Sequence, residues 1–260
     1  MLTFYRLLLA SIILLIFCKI RNEESLFKNK KGLTIIALFG NVIPFNLISW
    51  SELYVESVVA SSLIGTMPLF TYLISLHFPQ KKKFYLKPFL GLLIGFLGMF
   101  IFLGLGKGFS NSFSPFFSII IIFSAILYAY SANFVKTLSH QTALEIATGS
   151  TIVATLIALP LTIIIFNLSD YQIQNHISNI TLNSFLSATA LSLICTALAS
   201  IIFFKIIQVK SAVFASQSNY LIPCFGFFWS YIFLTENLTP NLLIGLLLIV
   251  LGGYLVNKNY

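Results

Sequence analysis

The chain has 260 residues, of which 58% are apolar and only 8% are charged. Soluble domains carry about 25% charged residues, so this composition could not cover a globular surface with polar groups and predicts a protein of the lipid bilayer. The formal net charge of +8 does not indicate a nucleic-acid partner, because the basic residues are spread along loops instead of lying on one polar face.

Nine apolar segments follow one another along the chain and are joined by mostly short, polar links. A bilayer-spanning helix needs about 20 apolar residues, and each segment approaches or reaches that length. We therefore predict an all-α integral membrane protein with nine transmembrane helices and no soluble domain. Cys18, Cys195 and Cys224 lie in apolar runs at no metal-binding spacing, and we predict neither a metal nor a cofactor. The predicted segments are 3–20, 33–51, 56–76, 89–106, 115–136, 142–166, 183–206, 211–234 and 241–257.

The basic residues occur in alternate links. Apart from Arg6 and Lys107, all of them lie at the end of the first, third, fifth, seventh or ninth segment or in the link that follows it. Cytoplasmic loops are enriched in Lys and Arg, so these links and the C-terminus are predicted to be cytoplasmic, and nine spans place the N-terminus outside. The opposite links hold the acids Glu52, Glu56, Asp170 and Glu236.

Two stretches repeat with their flanking charges reversed. "SELYVESVVASSLIGTMP" (51–68) returns as "IIQVKSAVFASQSNYLIP" (206–223) at a spacing of 155 residues, and "GLLIGFLG" (91–98) returns as "GLLLIVLG" (245–252) at 154. The first copy follows an acidic outer link and the second a basic inner link, which predicts two inverted repeats, 1–107 and 108–260. Tandem repeats invert only if each has an odd number of helices, so the first repeat, with four against five, is expected to lack its first helix.

The repeated motifs resemble the drug/metabolite transporter (DMT) superfamily in its EamA-type branch. They are "ASSLIGTMPLFTYLIS" with "GLLIGFLGMFIFLG", and later "ASQSNYLIPCFGFFWSYIFLTENLTPNLLIGLLLIVLGGYL". The resemblance implies ten helices in two inverted five-helix repeats, with both termini cytoplasmic. The chain departs from that pattern because no acid in "HFPQKKKFY" matches Glu236, and because the first of the ten helices is absent. A late start codon, a truncated gene and a true nine-helix form would each explain that absence.

The resemblance implies a secondary transporter in the cytoplasmic (inner) membrane of a bacterium. It would move a small metabolite, such as an amino acid or a related compound, by alternating access, and export is common in the family. Its partners would then be a small-molecule substrate and the lipid bilayer, with the oligomeric state open. One alternative is a truncated membrane protein or subunit that does not transport. An intramembrane enzyme is disfavoured, because the chain has no nucleophile–base, paired-carboxylate or HExxH arrangement.

Charged side chains within the segments are candidates for solute contacts, because they are costly in a bilayer unless they face a cavity or a partner. Arg6 lies one turn inside the first segment and is a candidate contact for an anion or a carboxylate, or else reaches to the outer interface. Glu145 lies at the inner end of the sixth segment. It is a candidate for a proton or an amine, or else lies at headgroup level near Lys136.

Polar side chains on the second segment are a further set of candidates. Asn41, Asn46 and Trp50 recur every four or five residues, roughly on one helical face. The stripe predicts either a polar cavity wall or hydrogen bonds to a neighbouring helix.

The run "SQSNY" (216–220) is the most polar stretch within any segment. Gln217, Asn219 and Tyr220 are predicted to line the cavity. Tyr128 could stack on a substrate or lie at the interface, and Asn133 has the same two alternatives.

The charge pattern predicts a topology that reporter fusions can test. A reporter fused after Lys83 should behave as cytoplasmic and one fused near Asp170 as external, because these links carry the basic and the acidic character respectively. The reverse pattern would contradict the inverted repeats.

Overall fold

A computed structural model of the protein describes residues 2–23, 26–55, 57–78, 84–102, 114–168, 181–222, 225 and 240–257. Within these residues every regular element is helical, which confirms the all-α class. The helices in chain order are α1 (Leu2–Ile20), α2 (Lys30–Ala37), α3 (Ile43–Ser51), α4 (Ser57–Ile64), α5 (Met67–Ser75), α6 (Leu86–Phe102), α7 (Pro115–Val135), α8 (Ala143–Leu168), α9 (Leu182–Ser192), α10 (Ala199–Val209), α11 (Ala212–Ser216) and α12 (Pro240–Asn257).

Several of these helices are long and apolar enough to cross a membrane, as the sequence predicts. The two continuous helices that contain α2–α3 and α9–α10 belong to this set, and shorter apolar helices cover Val59–Ser75, Leu86–Phe102 and Leu243–Val256. The predicted total of nine spans stays a prediction, since parts of the predicted segments lie outside the described residues. The long apolar helices are Leu2–Ile20, Lys30–Ser51, Pro115–Val135, Ala143–Ile164 and Leu182–Val209.

The chain divides into two compact units. Unit 1 contains residues 1–45 and 134–209, and unit 2 contains residues 46–133 and 210–260. Each unit therefore combines residues from both predicted repeats. The division of the sequence into repeats between residues 107 and 108 stays a prediction.

In unit 1, α1 and α8 pack against each other in opposite directions. The Cys18 sulfur, near the end of α1, lies 3.1 Å from the Thr148 hydroxyl near the start of α8. At the other end, Leu7 packs in one buried cluster with Ala154 and Ala158. The small side chains of α8 allow this close approach, since helices in a bilayer associate by close packing instead of by hydrophobic burial.

Two helices contain a short π-helical segment with wider turns. The first π segment is Leu38–Val42, between α2 and α3, and the second is Leu193–Leu198, between α9 and α10. They begin 155 residues apart, which is the spacing of the repeat in the sequence. The predicted repeat would place two π segments at this same spacing. π segments are frequent at functional sites, and both of these lie in unit 1.

In unit 2, the helical stretch that contains α4 and α5 is interrupted just before a proline. Residues 65 and 66 form a turn, and Pro68 lies in the first turn of α5. Proline lacks the amide hydrogen that would continue the ladder from α4, and it is well tolerated in a first turn. In the second copy the helix is instead interrupted at Gln217, three residues before the equivalent of Gly65, and helix resumes at 218–222. Pro223 itself lies outside the described residues.

The packing of α6 against α12 is built on reciprocal glycine contacts. A methyl group added to Gly91 would lie 2.8 Å from the Gly252 carbonyl oxygen, and one added to Gly98 would lie 2.8 Å from that of Gly245. The helices are therefore antiparallel. At a spacing of 154, Gly91 is the equivalent of Gly245 and Gly98 that of Gly252. Gly91 therefore packs against the equivalent of Gly98, and Gly98 packs against the equivalent of Gly91, as across a two-fold axis.

The adjacent glycines of α12 provide a matched test of this packing. In Gly252→Ala, the new methyl group would meet the Gly91 oxygen at 2.5 Å and the Gly95 nitrogen at 2.6 Å, which are backbone atoms. We expect a loss of about 1–3 kcal/mol, as for other overpacked sites, and a lower thermal unfolding midpoint in detergent.

Gly253→Ala is the control, because the nearest atom to its methyl group is the flexible Gln217 Oε1 at 3.2 Å. We expect a midpoint close to that of the unmodified protein. Equal destabilisation by both substitutions would contradict the reciprocal packing.

Candidate functional site

Arg6 lies in α1, and its contacts within unit 1 include a hydrogen bond and an aromatic ring. Its Nε donates a hydrogen bond to the Thr196 hydroxyl at 2.5 Å, and its Cζ lies 4.0 Å from the centre of the Phe45 ring. The first contact is polar and the second is a cation–π contact. Together they bring a positive charge, a hydroxyl group and an aromatic face to one place in a partly buried setting.

Thr196 belongs to the second π segment and is buried. Its hydroxyl also donates to the Leu191 carbonyl oxygen at 3.0 Å, five residues earlier. Because a hydroxyl has one hydrogen, that bond leaves its oxygen to accept from Arg6. At the spacing of 155, Thr196 is the equivalent of Asn41, which is half-buried in the first π segment.

Tyr5 forms a second polar contact beside Arg6 on α1. Its hydroxyl lies 2.9 Å from that of Thr189 on α9, whose hydrogen goes to the Phe185 carbonyl at 2.9 Å. Tyr5 is therefore the donor of this pair. The Tyr5 and Phe185 rings lie 6.0 Å apart, so α1 is joined to α9 by both polar and aromatic contacts.

Glu145 is buried at the start of α8, where it completes a capping box with Thr142. The Thr142 amide donates to Glu145 Oε2 at 2.8 Å, and the Glu145 amide donates to Thr142 Oγ1 at 3.1 Å. These reciprocal bonds satisfy two amides that a helix start leaves unpaired, so Glu145 has a structural role in capping α8. Lys136 donates to the Ile207 carbonyl at 3.3 Å. The predicted role of Glu145 in binding a proton or an amine stays a prediction.

Arg6 and Glu145 lie at opposite ends of the α1–α8 pair. Glu145 is one turn before Thr148, which contacts Cys18, and Cys18 is twelve residues along α1 from Arg6. A helix rises 1.5 Å per residue, so the separation is roughly 18 Å. The structure therefore does not bring these two predicted site residues together.

In unit 2, α5 is the centre of a second polar group. The Asn133 amide of α7 is buried and donates to the Thr71 and Ala129 carbonyls, at 2.9 Å in both cases. The Asn219 amide donates to the Ser216 carbonyl at 2.9 Å and lies 3.1 Å from the Met67 sulfur. Asn133 therefore forms a hydrogen bond between α7 and α5, and its predicted contact with a substrate stays a prediction.

Tyr220 is buried in the core of unit 2. Its hydroxyl donates to the Leu92 carbonyl at 3.0 Å, and its ring lies against Gly95, where an added methyl group would be 2.9 Å away. Gln217 is half-buried and its amide donates to the Val213 carbonyl at 3.4 Å. Packing accounts for the position of Tyr220, and its predicted place on a cavity wall stays a prediction.

The predicted stripe on the second segment spans both units. Asn41 belongs to unit 1, whereas Asn46 and Trp50 belong to unit 2 and are exposed. The Trp50 ring meets that of Phe117 edge-on at 5.3 Å, and Trp50 is 45% exposed. This position is typical of the aromatic belt at a membrane–water interface. Tyr128 is half-buried in α7.

Thr196 is absent from the residues predicted from the sequence, although a signal for it was present. Applying the spacing of 155 to Asn41 leads to Thr196 directly. The sequence also contains the Thr-x-x-Glu pattern of a capping box at residues 142–145, which predicts the structural role of Glu145. No comparable sequence signal predicts the contact between Phe45 and Arg6.

The family model described as the EamA-like transporter family matches residues 1–104 and 115–258. The chain belongs to the EamA-like transporter family. This membership confirms the predicted resemblance, and it makes the chain an integral membrane protein related to transporters.

Individual relatives of this EamA-like chain add less detail. An "Uncharacterized transporter in trpA 3'region" from Buchnera aphidicola subsp. Schlechtendalia chinensis is 35% identical over 89 residues, which are 34% of this chain and 29% of that protein. The match therefore spans under a third of that relative. A crystal structure of another protein covers 99% of this chain and 86% of its own, with a TM-score of 0.79 and 15% identity. That similarity shows a shared fold.

The two roles of Glu145 can be separated by substitution. Glu145→Gln keeps an oxygen that can accept from the Thr142 amide but removes the charge, whereas Glu145→Ala removes both. If capping is the main role, Glu145→Ala should lose about 0.5–1.5 kcal/mol of stability, and Glu145→Gln should retain most of it. Thermal unfolding in detergent measures both. A Gln variant as unstable as the Ala variant would contradict a role limited to capping.

Proposed function

We propose that the chain is a secondary transporter that moves a small metabolite across a bacterial cytoplasmic membrane by alternating access, with its C-terminus in the cytoplasm. The observation that supports this most is the packing of α6 against α12. These helices are equivalent in the predicted repeats, yet they run antiparallel and exchange glycine contacts reciprocally. Inverted repeats of this kind place a solute site between repeats that rock against each other.

The π segments support the same proposal from unit 1. Each lies in a helix equivalent to the other in the predicted repeats, and each carries a polar residue at the equivalent place, Asn41 or Thr196. A polar residue in a widened turn of a spanning helix is costly unless it has a polar partner or faces water. Solute recognition within the membrane gives such residues a function, and Thr196 already contacts Arg6.

The transported solute is proposed to be an amino acid or a related small metabolite, and the direction to be export. Both proposals come from the family resemblance. The relative from Buchnera is described as an uncharacterized transporter and names no substrate. The sequence contains no nucleotide-binding motif of the Walker type, so we propose that a solute gradient or an exchange of solutes drives transport.

Counterflow in reconstituted vesicles tests the proposed mechanism. Purified protein is placed in liposomes loaded with a mixed pool of bacterial metabolites, and the loss of each compound is followed by mass spectrometry. A carrier that alternates between two faces should give saturable efflux, and the same compound added outside should accelerate it. Efflux that rises linearly with concentration, or no protein-dependent efflux from correctly folded protein, would contradict the proposal. Liposomes without protein are the control.

A further inference from the structure

We propose that one side of unit 1 binds the phosphate headgroups of anionic phospholipids in the surrounding bilayer. This side is formed by the last turn of α1 with the link that follows it, the first turn of α2, and the last turns of α10. The inference goes beyond the proposed transport function and does not depend on it. The exposed basic side chains on this side, called the basic surface below, are Lys19, Arg21, Lys28, Lys30, Lys31 and Lys205.

The first step is that α2 and α10 contact the same link. A methyl group added to Gly32, in the first turn of α2, would lie 2.8 Å from Leu138 Cδ2 in the link between α7 and α8. The Gln208 amide of α10 donates to the Gln141 carbonyl of that link at 2.7 Å. Lys205 lies three residues before Gln208 on the same helix. The start of α2 and the end of α10 therefore lie on the same side of unit 1.

The second step adds the end of α1 to this side. Cys18, in the last turn of α1, contacts Thr148 near the start of α8. A methyl group added to Gly149 would lie 2.6 Å from the Leu26 carbonyl oxygen, so the link between α1 and α2 runs against the start of α8. Because α8 begins directly after the link that α2 and α10 contact, the bases at the end of α1 lie on the same side as theirs.

The third step is the charge of this side. Residues 19–31 contain five bases against two acids, Glu23 and Glu24. Of the other acids in unit 1, Glu145 is buried and its Oε2 accepts from the Thr142 amide. The basic surface therefore faces its surroundings with an excess of positive charge and is complementary to an anion.

The fourth step is the placement of two lysines in the first turn of α2. That turn contains Lys30 and Lys31 and no acid, although the start of a helix carries a partial positive charge that favours acids. The enrichment of cytoplasmic links in bases requires lysines somewhere in the link but not within this turn. A bound anion would offset both the lysine charges and the helix dipole.

The fifth step is the choice of an anion that belongs to a lipid. Phe17, Ile20 and Phe27 alternate with these bases in the sequence and are exposed, Ile20 at 70%. A soluble anion would not contact these apolar side chains, whereas a phospholipid presents a phosphate and acyl chains together. Basic groups beside spanning helices on the cytoplasmic side are typical of sites for anionic headgroups, and each contributes roughly fivefold in affinity. The charge pattern predicts this side to be cytoplasmic.

The test measures lipid binding by the full-length protein in a neutral detergent, titrated with phosphatidylglycerol or with phosphatidylcholine. Native mass spectrometry counts the bound lipid, and the thermal unfolding midpoint rises when a ligand binds the folded state. Phosphatidylglycerol should bind and raise the midpoint, whereas phosphatidylcholine should bind roughly tenfold more weakly or less. The triple variant Lys28→Gln/Lys30→Gln/Lys31→Gln should lose roughly tenfold or more in affinity for phosphatidylglycerol. The corresponding Arg triple keeps the charge and should bind like the unmodified protein.

The matched control is the triple variant Lys81→Gln/Lys82→Gln/Lys83→Gln. It removes the same charge from another link that is predicted to be cytoplasmic but belongs to unit 2, so it should bind phosphatidylglycerol like the unmodified protein. If the first Gln triple does not fold, Lys30→Gln alone tests the first turn of α2 and should lose roughly fivefold in affinity.

Equal binding of the two lipids, or equal losses in the two Gln triples, would overturn the basic surface as a headgroup site. A midpoint shift of the same size with soluble glycerol phosphate would also overturn it, because the surface would then bind a free anion. None of these measurements involves solute efflux. Failure of this inference therefore leaves the proposed transport function intact, and a lack of efflux leaves this inference intact.

Discussion

The structure depends on one constraint, the need to pair every backbone polar group inside a bilayer that offers no water. Helices satisfy it locally, and the described elements are all helices. Hydroxyl side chains follow the same rule, because those of Ser11, Thr71 and Ser124 donate to carbonyls three or four residues earlier in their own helices. A polar side chain satisfied in this way adds little to the cost of its helix in lipid. The departures from regular helix are therefore the places where another requirement prevails.

Two kinds of departure are present, and they serve different purposes. The turn before Pro68 is consistent with a missing amide hydrogen, and it separates α4 from α5. The π segments each add a wider turn within a continuous helix, and the first of them ends two residues before Pro44. In the second of them, the wider turn carries a hydroxyl that accepts from a charged side chain of another helix. The first kind shapes the scaffold, whereas the second prepares a polar contact inside it.

The spans were predictable from the sequence because length and hydropathy alone define a bilayer-crossing helix. The small-residue contacts of α6 were predictable in kind but not in partner, since a glycine indicates close packing without indicating against which helix. The face of each helix that is buried against protein was hardest to predict. Lipid and protein interior are equally apolar, so apolar side chains are exposed on one face of α1 and buried on the other, as Ile16 and Leu14 show. Tyr220 illustrates the difficulty, because its place against Gly95 depends on a helix distant in sequence.

The position of Arg6 bears on how a symmetric scaffold would bind the proposed asymmetric solute. The equal spacing of the π segments places Asn41 and Thr196 equivalently, and the reciprocal glycines relate α6 to α12 in the same way. A small metabolite has different groups at its two ends, so recognition requires residues that the scaffold does not duplicate. Arg6 is a charge of this kind, and its contacts come from both predicted repeats, with Phe45 from the first and Thr196 from the second. Arg6, Phe45 and Thr196 all belong to unit 1, so this asymmetric charge is held within a single compact unit by residues of both predicted repeats.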